Sequence, residues 1–181
     1  MIERITNEIH KCDENQCYLA ALCLALTLPD ICGKAEYPQA GNTERYIKWY
    51  NTYIGNNIKP SDEYGRDMPY SSGELIYNMR NCLLHEGFTG IIADKVKEDR
   101  CKVDELVLTV SDDYDNGFCG ITYGKDNKIV KRMLEINIRY LYRGLCSAAK
   151  RYYDNNKEKF THVKIEVHDI RHAFDSIFET K

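Results

Sequence analysis

Residues 79–87 read Met79-Arg80-Asn81-Cys82-Leu83-Leu84-His85-Glu86-Gly87, and this stretch decides how the rest of the chain is read. It closes a segment, Ser72 to His85, whose apolar spacing predicts a helix, with Ser71 or Ser72 as its cap and Gly87 as its terminator. Arginine is a permanent cation with a five-donor fork suited to phosphate. Histidine takes or gives a proton near neutral pH. The two together on one rigid element are a minimal kit for cleaving a phosphodiester.

The spacing of this pair is awkward for an α-helix. At about 100° per residue, Arg80 and His85 are expected about 140° apart around the axis, on different faces. Tyr77, Asn81 and His85 form a stripe instead, so Asn81 is expected to contact or orient the imidazole, with Arg80 reaching round from the border. At a helix C-terminus the dipole favours the protonated ring. A purely structural account has Arg80 paired with Glu74 or a loop carboxylate and His85 capping the helix end.

The Arg-Asn-x-x-x-His string resembles the signature of the HEPN superfamily, small helical domains named for nucleotide binding in higher eukaryotes and prokaryotes. That signature is an Arg, usually followed by a polar residue, then a His four to six intervening residues on, near the end of a helix. The resemblance covers this motif and a compatible helical half, roughly residues 15–90, and does not reach the C-terminal half. It implies a metal-independent endoribonuclease that needs no cofactor and acts as a homodimer, often in a toxin or defence system. Some relatives are restrained by an antitoxin or nucleotidyltransferase partner. Others have lost catalysis and only bind RNA, nucleotide or protein. The implied catalytic residues are Arg80 and His85 with Asn81 in support; Tyr77, Lys131 and Arg132 are candidates for holding substrate.

Length and composition agree with a folded domain. The 181 residues are 43% hydrophobic and 29% charged, enough for one domain with a sizeable core. The net charge of −3 is uneven. Between Lys125 and Arg151, eight Lys and Arg stand against Asp126 and Glu135, a local +6 that leaves −9 for the remainder. That basic run could hold a phosphate backbone or be a solvated face. Eight cysteines without a C-x-x-C spacing are expected to be reduced, mostly buried thiols of a cytoplasmic protein. The apolar run Cys17–Leu28 is too short to span a bilayer, is ended by Pro29 and is preceded by acidic residues, which argues against a signal peptide.

The expected architecture is α+β, a HEPN-like helical bundle over residues 1–90 with a small antiparallel sheet and a helix over 91–181, packed on the same core. Ile2, Ile5 and Ile9 mark a first amphipathic helix, and residues 15–28 a buried one. Residues 33–42 are expected to be a loop. Thr43 is expected to cap a helix through Ile54 whose Tyr46, Trp49, Tyr50 and Tyr53 could stack bases but more readily form core. Residues 55–70 are expected to be a long loop leading to the motif. Val103–Val110 and Phe118–Tyr123 read as strands, Val130–Ile138 as a third strand whose pattern also permits a helix start, and residues 111–117 as a turn whose spacing fails a calcium loop. Arg139–Asn155 reads as a helix with Leu141, Leu145, Ala148 and Tyr152 on one stripe. Val163–Val167 suggests a fourth strand. His168 and His172 could share a metal only on a helix.

Overall fold

The structure, a computed structural model, describes residues 1–55, 65, 68–92, 95–97, 102–112 and 118–161. The expected fourth strand, the His168–His172 pair and most of the segments 55–70 and 111–117 lie outside them. Among the described residues, six α-helices and one three-stranded sheet make an α+β arrangement.

Helix α1 (Ile2–Glu14) buries Ile2, Ile5, Ile9 and Asp13, a single stripe at helical spacing. Helix α2 (Tyr18–Ala25) is short, and a turn at Leu26–Thr27 leads at once into α3 (Leu28–Glu36). The expected helix over 15–28 is thus interrupted at Leu26–Thr27, and of the expected loop over 33–42 only residues 37–41 lie outside helix. Pro29 sits in the first turn of α3, where its missing N–H costs nothing, and Asp30 beside it favours the positive helix start. Gly33 lies inside the helix for a packing reason: a Cβ there would stand 2.8 Å from the backbone carbonyl oxygen of Arg45. It marks where α3 presses on α4 (Asn42–Tyr53), not a loop. Together α2 and α3 form a 19-residue stretch, Tyr18–Glu36, apolar and long enough to cross a membrane by length and composition, of which half is buried in this structure.

Gly41, not Thr43, precedes the first turn of α4, and no side chain caps it. Tyr46, Trp49 and Tyr50 are fully buried, so they form core and offer no surface for stacking bases. Helix α5 (Gly73–Asn81) begins at Ser72, whose hydroxyl accepts the Leu75 N–H at 3.2 Å. Asn51 of α4 accepts the Gly73 N–H at 2.8 Å, which ties the start of the motif helix to its neighbour. Leu75, Ile76 and Met79 complete the buried face of α5.

Strands β1 (Glu105–Thr109), β2 (Cys119–Tyr123) and β3 (Ile129–Asn137) lie in the order β1-β3-β2. The β2–β3 hairpin is antiparallel, but β1 pairs with β3 in parallel, with Glu105 opposite Met133 and Thr109 opposite Asn137. The sheet is thus mixed and not antiparallel. Strand spacing cannot reveal this, because it records which residues alternate and not which neighbour a strand chooses.

Strand β3 passes without a loop into α6 (Ile138–Asn155). Asn137 makes the junction: its side-chain oxygen accepts the Arg139 N–H at 3.1 Å, and its amide nitrogen donates to the Ser111 carbonyl at 3.2 Å. Helix α6 then lies against α1, α2 and α3, burying Leu141, Tyr142, Leu145, Ala148, Ala149 and Tyr152. Buried Asp13 fixes its first turns, accepting from Tyr142 Oη at 2.5 Å, Arg139 Nε at 3.0 Å and Arg143 Nη2 at 2.7 Å. Burial opposes ionisation of Asp13, yet these bonds hold its carboxyl below the usual range.

Candidate functional site

The motif helix does not stay an α-helix to its end. After Asn81 the chain widens into one π-helical turn, Cys82–Glu86, in which the Gly87 N–H reaches the Cys82 carbonyl five residues back. Gly87, at φ 72°, closes the turn in the left-handed conformation that glycine adopts without a Cβ penalty. Arg80 stands in the α-helical turn just before it, and its long side chain reaches round to the imidazole: Arg80 Nη1 lies 3.0 Å from His85 Nε2.

The two terminal nitrogens of Arg80 have different partners. Nη1 also donates to Asn81 Oδ1 at 2.9 Å, so Asn81 orients the guanidinium and not, as expected, the imidazole. Nη2 pairs at 3.0 Å with Asp30 Oδ2, supplied by α3 and not by Glu74 or a loop. The guanidinium carbon stands 6.0 Å from the centre of the Tyr77 ring. Both members of the Arg80–Asp30 pair are about four-fifths buried. Burial pushes the Asp30 carboxyl above the usual range, while Arg80 and Arg45 pull against it. Arg80 Nε is buried with no acceptor among the described residues, a cost on the order of 1–3 kcal/mol.

A guanidinium can only donate. At 3.0 Å, the Arg80–His85 bond therefore exists only when His85 Nε2 carries a lone pair, with the ring proton on Nδ1. The ring itself is exposed. That lone pair is the one Arg80 Nη1 occupies, so the exposed imidazole takes a proton from a substrate hydroxyl once a bound phosphate draws Nη1 away.

No protein-family model, curated protein or solved structure matches the chain.

The other candidates fall in different places. Tyr77 is half-buried; its hydroxyl accepts from Thr43 Oγ1 at 3.0 Å and its ring packs on Tyr46, so it helps build the wall of the site. Lys131 and Arg132 lie on β3, where Lys131 pairs with Glu105 and the Arg132 N–H donates to Asp104 at 2.6 Å. No hydrogen bond or ion pair joins either to residues 80–86. Sequence reading missed Asp30 altogether. Its signal was present in Thr27-Leu28-Pro29-Asp30, a proline and an acid at a helix start, but Pro29 was taken only as an ending.

Proposed function

We propose that the chain is a metal-independent endoribonuclease of the HEPN type, in which Arg80 holds the scissile phosphate and His85 moves the proton. The observation that carries this reading is the 3.0 Å approach of Arg80 Nη1 to His85 Nε2 on an exposed surface. RNA supplies its own nucleophile. His85 Nε2 takes the 2′-hydroxyl proton, O2′ attacks phosphorus, and the P–O5′ bond breaks. The leaving oxygen collects a proton from water or from the His85 of a second copy across a two-fold dimer. Arg80 stabilises the charge that develops on the phosphorane. The products are a 2′,3′-cyclic phosphate and a 5′-hydroxyl. The described cysteines are free thiols, which suits a reducing, cytoplasmic setting. A restraining antitoxin or similar partner belongs to this proposal too.

The test is cleavage of a mixed RNA pool in EDTA by wild type, Arg80→Ala and His85→Ala. Wild type is expected to leave cyclic phosphate ends and to spare DNA, and each variant to lose at least about 10²-fold while staying folded. Equal cleavage by all three, cutting of DNA, or an absolute need for magnesium would overturn the reading.

One observation favours a second reading, a HEPN-like module that binds RNA or nucleotide without cutting. Asp30 already neutralises Arg80, so a phosphate must compete with a carboxylate. RNA affinity without turnover, unchanged by His85→Ala, would establish that reading instead.

A further inference from the structure

A cavity of about 230 Å³ lies on the flank of α5 and shares Asn81 with the Arg80–His85 pair. It is smaller than the roughly 300–1,000 Å³ that holds drug-sized ligands, and so suits a single base. One wall is a stripe of α5 itself. Glu74, Tyr77 and Asn81 stand at i, i+3 and i+7 and span about 10 Å along the helix axis. Ile47 and Thr43 of α4 close one side.

The segment carrying Lys95 and Lys97 closes the other, and its path is fixed at three points. Asn78 holds both the carbonyl (2.7 Å) and the N–H (3.0 Å) of Ile92. Lys95 Nζ pairs with Glu86 at 3.6 Å, beside His85. The Lys97 N–H donates to Glu74 Oε2 at 3.1 Å, at the far end of the stripe. The cavity is therefore polarised along its length. Asn81, which accepts from Arg80 just outside the cavity, and Lys95 stand at one end; Glu74 and Lys97 stand at the other, with the Tyr77 ring between.

We infer that this cavity reads the base of the nucleotide whose 3′-phosphate is cut, and that it prefers guanine. The inference rests on the ribonuclease reading for the phosphate end. The base end follows from donor and acceptor types. A phosphate at Arg80 and Lys95 directs its base along α5 past Tyr77, towards Glu74. There the edge of guanine offers N1–H and N2–H₂, two donors for a carboxylate. Its O6 and N7 accept from a lysine. Adenine offers an acceptor at N1, where Glu74 can only repel it. Glu74 already accepts from the Lys97 N–H and holds a further interaction, so the base shares with them a carboxylate that has about four lone-pair sites.

The experiment is binding of 3′-GMP, 3′-AMP, 3′-CMP and 3′-UMP to the full chain by calorimetry, for wild type and Glu74→Gln, with cut sites mapped on a mixed-sequence RNA. Gln keeps an acceptor for the Lys97 N–H, so the cavity wall should persist. Wild type is expected to bind 3′-GMP at least about tenfold more tightly than the other three, a bidentate base contact being worth that much. Glu74→Gln should remove most of this preference, and the cuts should fall after G. Equal binding of all four nucleotides, no binding of any, or a preference that survives Glu74→Gln would overturn the inference. Guanine binding without cleavage would end the nuclease reading and leave the base pocket standing. Cleavage with no base preference would do the reverse.

Discussion

Asp30 carries the only carboxylate paired with the motif arginine among the described residues, and its ionisation works against burial. Its folded-state pKa is raised, so between the ordinary value of 3.8 and that higher value the folded chain holds a proton that the unfolded chain has lost. Stability from this residue is therefore greatest below the ordinary value and declines as pH rises through the folded pKa. Asp30→Asn removes the titration and keeps an acceptor for Arg80 Nη2. At pH 7 the variant is expected to lie within about 1 kcal/mol of wild type, because the lost ion pair and the recovered desolvation nearly offset. Thermal unfolding of both from pH 3.5 to 7 checks the sign. The advantage of wild type should shrink as pH rises, and an advantage that grows would show that pairing, and not burial, dominates at Asp30. In the cleavage assay Asp30→Asn should lose about tenfold, since an arginine without its anchor is less well placed on the phosphate.

At the scale of elements, the site depends on how closely α3 presses on α4. Gly33 sits one turn after Asp30, and a methyl there meets a backbone carbonyl at 2.8 Å, which no side-chain rotation relieves. Gly33→Ala is expected to cost about 2 kcal/mol by chemical denaturation and to weaken cleavage along with stability, because moving α3 withdraws Asp30 from Arg80. A variant as stable as wild type would mean the two helices can part freely. Much of this layer was legible beforehand. Period and composition located α1, α4, α6, the three strands and the motif helix, since each owes its pattern to one buried face. Two features were not. The helical glycine and proline of α3 were read as loop and stop signals, although their roles here are close approach and first-turn geometry. The π turn has no composition of its own, so helical periodicity gives Arg80 and His85 as a pair but not the widened turn that carries the histidine.

At the scale of the whole molecule, charge and site are divided. The basic run lies on the β2–β3 turn, β3 and α6, while the motif belongs to α5 on its α4 support. Sequence could count those eight cations but not place them, because position around a fold depends on contacts far apart along the chain. The division predicts a modest salt dependence. A short single strand held by Arg80, Lys95 and Lys97 alone should lose affinity with a log–log slope of about −2 in salt concentration. A slope near −5 would mean that the basic run also holds RNA. Nine residues of β3 and eighteen of α6 follow one another without a loop, pinned at Asn137 and again at Asp13. The exposed Ile129 and Val130 end is thus continuous in backbone with Tyr152, where α6 meets Glu36 of the same helix that carries Asp30.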